Sequence, residues 1–288
     1  MSEPSWRKAG RQDVRALEAF LRAREPRAAG FIGKSLRDGR LRLPNPLRGA
    51  VWLRFDRSGR ISDALLCSPG GLVFPQFSCH SPVSGGDGFL SDAVYGTGFV
   101  PASAVGPAAY VERFERALFL KPLVSIAYRL MLRRGGAPRG SDRLPGLSIR
   151  RASRADLASV YPLQEAYERE EVATSIHEFN PSGCRAALAR NLEERIIFVA
   201  ELDGHLVGKA GTNARAFALD QVGGVFVAPP YRGKGIGSAL MLSLLDLLAA
   251  EGRDASLFVK RENTAARALY DSLGFEDLED FRADYFMP

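Results

Sequence analysis

Hydrophobic and polar positions alternate along residues 147–288 with two different periods. Short runs of β-branched and aromatic residues predict strands over 147–150, 196–201, 206–212, 221–228, 255–260 and near 281–287. Apolar residues spaced three or four apart predict helices over 153–171, 181–194, 237–250 and 264–273. Ser153, followed by Asp156 in the first turn, is a typical helix N-cap, and Asp203-Gly204 is a two-residue hairpin turn. The order β-α-α-β-β-β-α-β-α-β predicts a mixed α/β layered fold.

The first half of the chain has a less regular pattern. It predicts helices over 13–24 and 107–120 and three successive strands over 51–55, 61–67 and 72–77, whereas 124–132 fits a strand or a helix. A helix, three strands and a helix resemble the order in the second half, which favours a duplicated fold. The Gly-, Pro- and Arg-rich stretch 133–146 cannot sustain a helix or a strand. We therefore expect an N-terminal domain over 1–134, a linker over 135–146 and a C-terminal domain over 147–288.

The composition agrees with two folded domains. The 288 residues are 46% hydrophobic and 25% charged, as in ordinary globular chains. An uninterrupted apolar run of 18 residues is absent, and the first residues lack the apolar core of a secretory signal, so we expect no membrane span and no secretion. The three cysteines, Cys67, Cys79 and Cys184, are an odd number without metal-ligand spacing. This predicts a cytoplasmic protein with neither a disulfide framework nor a bound metal.

The net charge of +6 is distributed unevenly along the chain. Residues 1–140 carry 22 basic and 11 acidic residues, whereas residues 141–288 carry 17 and 22. A basic half attracts anionic partners such as nucleic acid. The basic residues are mostly Arg, however, and they are scattered among apolar positions rather than interleaved with aromatic residues. We therefore do not expect a nucleic-acid partner.

The segment from Val225 to Leu240 has the strongest chemical pattern. A strand enters Pro229-Pro230, which must end or splay it because proline donates no ladder hydrogen bond. Arg232-x-x-Gly235-x-Gly237 then leads into an apolar helix. Glycines allow a tight turn, and the free N–H groups of a helix start bind phosphate. Such a turn also occurs in dinucleotide-binding folds, but there it follows the first strand of a βαβ unit.

Two motifs together resemble one family. Val227-x-Pro-x-x-Arg-Gly-x-Gly-Ile-Gly237 is similar to the acetyl-CoA-binding motif of the GNAT superfamily of N-acyltransferases. The segment from Leu257 to Phe275 resembles the strand, Asn, helix, Tyr and Gly-Phe run of that family. The resemblance covers about residues 147–288, and the whole chain resembles tandem proteins with a degenerate N-terminal GNAT-like half. That half lacks Arg-x-x-Gly-x-Gly, and its nearest glycine cluster is Gly85-Gly-Asp-Gly88.

The resemblance implies a role for each matching position. The backbone of Val225, Phe226 and Val227 pairs with the pantetheine arm. The pyrophosphate is held by Arg232, Gly233, Lys234, Gly235, Ile236, Gly237 and Ser238, the last of which would cap the helix. Asn263 contacts the pantetheine arm and also suits a helix N-cap. Tyr270 would protonate the departing thiolate, although a core tyrosine fits its position too.

The acceptor side is less determined by the sequence. The strand before the phosphate turn carries only Asp220 at its edge, so it offers no obvious general base. Candidate substrate residues are Glu168, Glu171 and His177, in an acidic stretch with Glu170 and Glu178 that also suits a solvated helix end. Lys209, in an otherwise apolar strand, either reaches solvent or meets a substrate carboxylate.

Taken with the resemblance, the sequence predicts an acetyl-CoA-dependent N-acetyltransferase acting on a primary amine of a small molecule, amino acid or peptide. The alternative is a CoA-binding regulatory or sensor module without turnover, since a base is not evident. We expect one CoA per chain, bound in the C-terminal half. A monomer is weakly favoured, because two GNAT-like halves can mimic the dimer of single-domain relatives.

Overall fold

A computed structural model describes residues 6–44, 49–78, 88–136, 144–176 and 178–287. The chain forms two compact units. Unit 1 comprises residues 1–130 together with 279–288, and unit 2 comprises residues 131–278. Residues 279–287 therefore belong to unit 1, although the sequence pattern places them in the C-terminal domain.

Unit 1 contains a mixed sheet, a separate two-stranded antiparallel sheet and helices. Its strands are β1 (Arg7–Lys8), β2 (Leu36–Arg37), β3 (Arg40–Leu41), β4 (Ala50–Phe55), β5 (Ile61–Cys67), β6 (Leu72–Gln76) and β7 (Ser103–Pro107). Its helices are a 3₁₀ turn (Arg11–Asp13), α1 (Val14–Arg22), α2 (Glu25–Ser35), α3 (Gly88–Tyr95) and α4 (Ala108–Leu118). Strands β1, β4, β5 and β6 are antiparallel neighbours, and β6 pairs with β7 in parallel.

The structure confirms the predicted first helix, the three-strand meander and the helix α4 of unit 1. The ambiguous segment is a strand, β8 (Val124–Arg133). Helix α2 was not predicted, because Pro26, Gly30 and Gly33 are poor helix formers. Phe31 and Ile32 of this helix are fully buried, and that burial stabilises a helix that its own sequence does not favour. The cluster Gly85-Gly-Asp-Gly88 lies almost wholly outside the described residues.

Unit 2 has the element order that the sequence predicts. Its strands are β9 (Leu147–Arg151), β10 (Ile197–Leu202), β11 (His205–Arg215), β12 (Leu219–Val227) and β13 (Asp254–Lys260). Its helices are α5 (Leu157–Tyr167), α6 (Pro181–Glu194), α7 (Ile236–Ala250) and α8 (Thr264–Ser272). A π-helical turn, Glu168–Val172, extends α5. The last strand of the chain, β14 (Glu276–Tyr285), pairs with β7 through its residues in unit 1.

Strands β9 to β12 form an antiparallel ladder in chain order, and β13 joins β12 in parallel. Helix α7 packs against this sheet and is apolar around most of its surface. Its residues Leu240, Leu244 and Leu248 follow one another at one-turn spacing and are no more than 1% exposed. Each contributes about 1.5–3 kcal/mol by its burial. This packing holds the start of α7 at one end of β12.

Two predicted helix caps are confirmed in unit 2. The backbone N–H and the hydroxyl of Ser153 both donate to Asp156, in a capping box that precedes α5. Asn263 caps α8, since its Oδ1 accepts from the backbone N–H of Ala266 at 3.0 Å. In the described part of the chain, no helix combines the length and the apolarity that crossing a membrane requires.

Candidate active site

Strands β12 and β13 separate halfway along their length. They pair only over Leu219–Gln221 and Asp254–Ser256 within the described strands, although β12 continues to Val227 and β13 to Lys260. The far half of β12 still pairs with β11 on its other edge. Its edge toward β13 therefore keeps backbone groups without ladder partners, which an extended ligand can pair with.

The turn before α7 has the backbone conformation that glycine permits. Gly233 and Gly235 both have a φ of +76°, in the left-handed region that other residues rarely adopt. A Cβ at either position would meet no atom within 4 Å, so the constraint is conformational rather than steric. Gly235 is the N-cap of α7, and the prediction that Ser238 caps this helix is wrong because Ser238 already lies in the first turn.

The first amides of α7 point out of the helix end. The backbone N–H of Ala239 donates to the carbonyl oxygen of Gly235 at 3.0 Å, which is the first hydrogen bond of the helix. The N–H groups of Ile236, Gly237 and Ser238 precede it and have no intrahelical acceptor. Together with the helix dipole, these donors provide a site for a phosphate oxygen.

Arg232 is held by two groups beside this turn. Its Nη2 donates to both carboxylate oxygens of Glu170, at 2.7 and 2.8 Å. Its Nε donates to the carbonyl oxygen of Val227 at 2.9 Å. Both side chains of the ion pair are more than 40% exposed, so the pair is accessible to an anionic competitor.

Tyr270 lies on α8, two turns after Asn263, and is 7% exposed. Its ring packs edge-on against Phe275, with the ring centroids 5.8 Å apart. Burial, and secondarily the charge of Glu171, raise the pKa of its hydroxyl above the ordinary value for tyrosine. The hydroxyl makes no side-chain hydrogen bond within the described residues. It remains protonated and able to donate at neutral pH.

A β-bulge interrupts β12 opposite Lys209. The pairing passes from Lys209 opposite Phe226 to Gly211 opposite Gly223, so β12 carries one extra residue at this place. Gly224 has a φ of +64°, and its carbonyl oxygen accepts a hydrogen bond from Lys209 Nζ at 2.9 Å. A Cβ at Gly224 would lie 3.1 Å from that nitrogen. The bulge therefore brings the backbone and the lysine close together.

Lys209 is buried, with 4% exposure, and does not reach solvent. Its ammonium lies 4.4 Å from the centroid of the Tyr167 ring. Burial lowers the pKa of Lys209 to about 8, against a smaller raising effect of Glu168. Burial, followed by the nearby acidic groups Glu168 and Glu171, raises the pKa of the Tyr167 hydroxyl.

These groups surround a cavity of about 240 Å³ in unit 2. Its polar lining consists of side chains from α5, α6, β11 and the turn after α5: Gln164, Tyr167, Glu168, Asn191, Lys209, Thr212 and Asn213. Gln164 Nε2 donates to Glu168 at 2.8 Å. The carboxylate of Glu168 has no ion-pair partner within 4.0 Å among the described residues. The cavity therefore contains a carboxylate with free acceptor capacity.

Of the three predicted substrate residues, only Glu168 lines the cavity within the described residues. Glu168 lines the cavity, whereas Glu171 pairs with Lys260 at 3.0 Å. His177 lies outside the described residues, and Glu178 is exposed. Asp220 is 1% exposed and paired with Arg253 at 2.9 Å, so it is engaged at the paired end of β12.

The sequence analysis did not single out Gln164, Tyr167, Asn191 or Asn213. A signal was present for two of them, because Gln164 and Tyr167 precede Glu168 and Glu171 by one helical turn. Residues one turn apart share a helix face, so the acidic stretch indicated where these side chains lie. Asn191 and Asn213 had no comparable signal.

Comparison with known proteins agrees with this geometry. The Acetyltransferase (GNAT) family matches residues 157–275. The chain is 34% identical over 145 residues to a mycothiol acetyltransferase of Thermobispora bispora, an alignment that spans 47% of this chain and 43% of that relative. The chain thus spans less than half the length of this curated relative.

Two solved structures resemble the chain over nearly its whole length. A tandem GNAT protein from the clavulanic acid biosynthesis pathway covers 99% of both chains, with a TM-score of 0.60 and 16% identity. A GCN5-related N-acetyltransferase from Sphaerobacter thermophilus covers 98% of this chain and 96% of its own, with a TM-score of 0.61 and 16% identity. The fold is therefore that of a tandem GNAT protein. Residues 157–275 match the model of the acetyltransferase (GNAT) family.

Proposed function

We propose that this chain is an acetyl-CoA-dependent N-acetyltransferase that acetylates a primary amine by direct attack. The observation that carries the proposal is the left-handed turn at Gly233 and Gly235, placed beside the half of β12 that does not pair with β13. The turn provides phosphate donors, and the strand edge provides partners for an extended amide chain. The two features adjoin, as a ligand with a pyrophosphate and a pantetheine arm requires.

The cofactor-binding residues each have a role in this proposal. The backbone of Val225, Phe226 and Val227 pairs with the pantetheine amides, and the amides of residues 233–238 hold the pyrophosphate. Arg232 and Lys234 add positive charge. Asn263 uses its Oδ1 for the helix cap, so its amide nitrogen is available to the pantetheine arm.

Acetyl transfer forms a bond from the amine nitrogen to the acetyl carbon and breaks the bond from that carbon to sulphur. The amine loses a proton, for which Glu168 or water is the acceptor, and the thiolate gains one. Tyr270 is the proposed donor, because its buried hydroxyl stays protonated and makes no other side-chain hydrogen bond in the described residues. General acid catalysis of this kind contributes about 10²–10⁴-fold.

Calorimetric titration with CoA tests the cofactor site. We expect one equivalent per chain, since the motif occurs once. In Gly235→Glu, the substituent must adopt a disfavoured φ and also repels the phosphates, so affinity should fall by ~10–10⁴-fold. Gly252→Glu, at another left-handed glycine with open surroundings, is the matched control. Two equivalents, or normal binding by a folded Gly235→Glu variant, would contradict this placement.

Thiol release from acetyl-CoA across a panel of amines, amino acids and peptides tests the activity. Because the relatives are named mycothiol acetyltransferases, the panel includes amines related to mycothiol. Tight CoA binding without turnover on any amine would instead support a sensor module.

A further inference from the structure

Lys209 is a buried cation whose contacts are all electrically neutral. A buried ammonium is costly unless an anion compensates it. The described residues give it a carbonyl oxygen, that of Gly224, and the face of the Tyr167 ring. They place no carboxylate within 4.0 Å of its nitrogen. Its positive charge is therefore only partly compensated by the protein.

Glu168 presents the opposite situation in the same cavity. Its carboxylate accepts one hydrogen bond, from the neutral amide of Gln164. It acts on Lys209 through space but does not form an ion pair with it. The two charges thus stand apart on the wall of one cavity, and each retains the capacity to bind a group of opposite sign.

The remaining lining suits a small polar ligand. Asn191, Thr212 and Asn213 add uncharged donors and acceptors. The cavity volume of about 240 Å³ accommodates an amino acid with a short side chain and leaves room for water beside it.

We propose that the acceptor is a small free amino acid, with its carboxylate bound to Lys209 and its ammonium bound to Glu168. This inference rests on the proposed acetyltransferase function and names its substrate class. Lys209 is then the residue that determines specificity for the carboxylate, and Glu168 binds the nitrogen that becomes acetylated.

Matched substrate pairs test the proposal. Glycine and glycinamide, and serine and serinamide, share their amine and side chain and differ in the carboxylate. Its replacement by an amide also lowers the pKa of the amine, which favours the amide as a nucleophile and so works against the expected preference. Thiol release from acetyl-CoA should give a kcat/KM at least tenfold higher for each acid than for its amide. Calorimetry on the CoA-bound protein should show the same preference in binding, and this readout does not depend on turnover.

Variants then test whether Lys209 causes the preference for acids over amides. Lys209→Met should remove at least tenfold of the preference for the acid, whereas Lys121→Met, at an exposed lysine of unit 1, should retain it. Glu168→Gln should weaken the acid and the amide alike and leave their ratio unchanged. This second variant keeps the test valid should Lys209→Met not fold.

The outcomes separate the two proposals. Amides acetylated as well as acids, or a Lys209→Met variant that keeps the preference, would overturn the amino-acid inference and leave the acetyltransferase function intact. Selective binding of acids without thiol release on any amine would support the ligand class and contradict the enzymatic function. A change confined to folding or CoA affinity in Lys209→Met would assign the lysine to supporting the bulge.

Discussion

Unit 1 buries Asp63 between two arginines, whereas unit 2 buries Lys209 against a carbonyl oxygen and an aromatic ring. Asp63 is fully buried and lies 2.6 Å from Arg54 Nε and 3.4 Å from Arg113 Nη1. It also accepts hydrogen bonds from Ser62 and from the backbone of Ser78. A buried charge that the protein fully compensates supports the fold, and one that it leaves partly compensated is available to a ligand.

The parallel strand pairs of the two units show a related difference. In unit 1, β6 and β7 pair in parallel, with Leu72 opposite Ser103 and Val73 opposite Ala104. Further along the two strands, a Cβ added at Gly106 would lie 3.5 Å from Pro75 Cγ. These strands therefore stay close together after their pairing ends. In unit 2, a turn with two left-handed glycines follows the half of β12 that does not pair with β13. Both units therefore contain a parallel strand pair, but only β12 and β13 combine a free strand edge with a glycine turn. That local chemistry, rather than the sheet itself, makes this pair a candidate cofactor site.

The largest effect, a loss of unfolding free energy, is expected from Asp63→Ala. Removing the carboxylate leaves two arginines without their buried partner, which costs about 3–5 kcal/mol of unfolding free energy. Urea denaturation of unit 1 measures this loss, and CoA affinity of the folded protein should not change. Asp92→Ala, at an exposed aspartate of the same unit, serves as the control and should stay within about 0.5 kcal/mol of the parent. A loss below about 1 kcal/mol for Asp63→Ala would show that the network does not support the unit.

Tyr270→Phe is expected to lower kcat at least tenfold while acetyl-CoA affinity stays nearly constant, because only the proton donor is removed. Steady-state kinetics with calorimetry provide both numbers. Tyr110→Phe is the matched control, since Tyr110 is a similarly buried tyrosine of unit 1, with 8% exposure. Equal kcat values for Tyr270→Phe and the parent would assign the hydroxyl to packing.

Binding of a simple carboxylate should depend on pH through Lys209. Because burial lowers its pKa to about 8, the ammonium is mostly present at pH 7 and mostly lost at pH 9. The inhibition constant of propionate against the acceptor should therefore rise about tenfold between these values. The other titratable groups facing Lys209 are Glu168, Tyr167 and Cys184, and burial raises the pKa of Cys184 to about 11 and that of Tyr167 above its ordinary range. An inhibition constant of propionate that does not change with pH would exclude Lys209 as the partner of the carboxylate.

The smallest effect, a modest gain in affinity for CoA, is expected from Glu170→Gln. Glu170 competes with the pyrophosphate for Arg232, and an exposed ion pair contributes about 0.2–1 kcal/mol. Freeing Arg232 should therefore tighten CoA binding up to about fivefold by calorimetry, and the gain should shrink in high salt. Glu178→Gln, at an exposed glutamate outside the turn before α7, should leave the affinity unchanged. Weaker binding by Glu170→Gln would mean that the carboxylate helps to orient Arg232 for the ligand.

Local patterns predicted most of the elements correctly. The boundaries of α6, α7 and β5 agree with the sequence expectation within one residue, because periodicity, caps and turns act over a few neighbouring positions. Helix α2 and strand β7 were missed, since α2 depends on burial in unit 1 and β7 on pairing with β6 and β14. Such contacts join residues far apart in the chain, and a local window does not contain them.

The sequence by itself determined the nature of the glycine turn before α7. Arg232, Gly235 and Gly237 lie within one short segment, so the backbone conformation that they permit follows from residue type and order. Only the tertiary structure decided which side chains share the cavity of unit 2, because Glu168, Lys209 and Asn213 come from different elements. Whether Lys209 reaches solvent or stays buried depends on what packs around β11, and the bulge at Gly224 and the ring of Tyr167 settle it. A charge acquires its role from its surroundings, and those surroundings are assembled only when the chain folds.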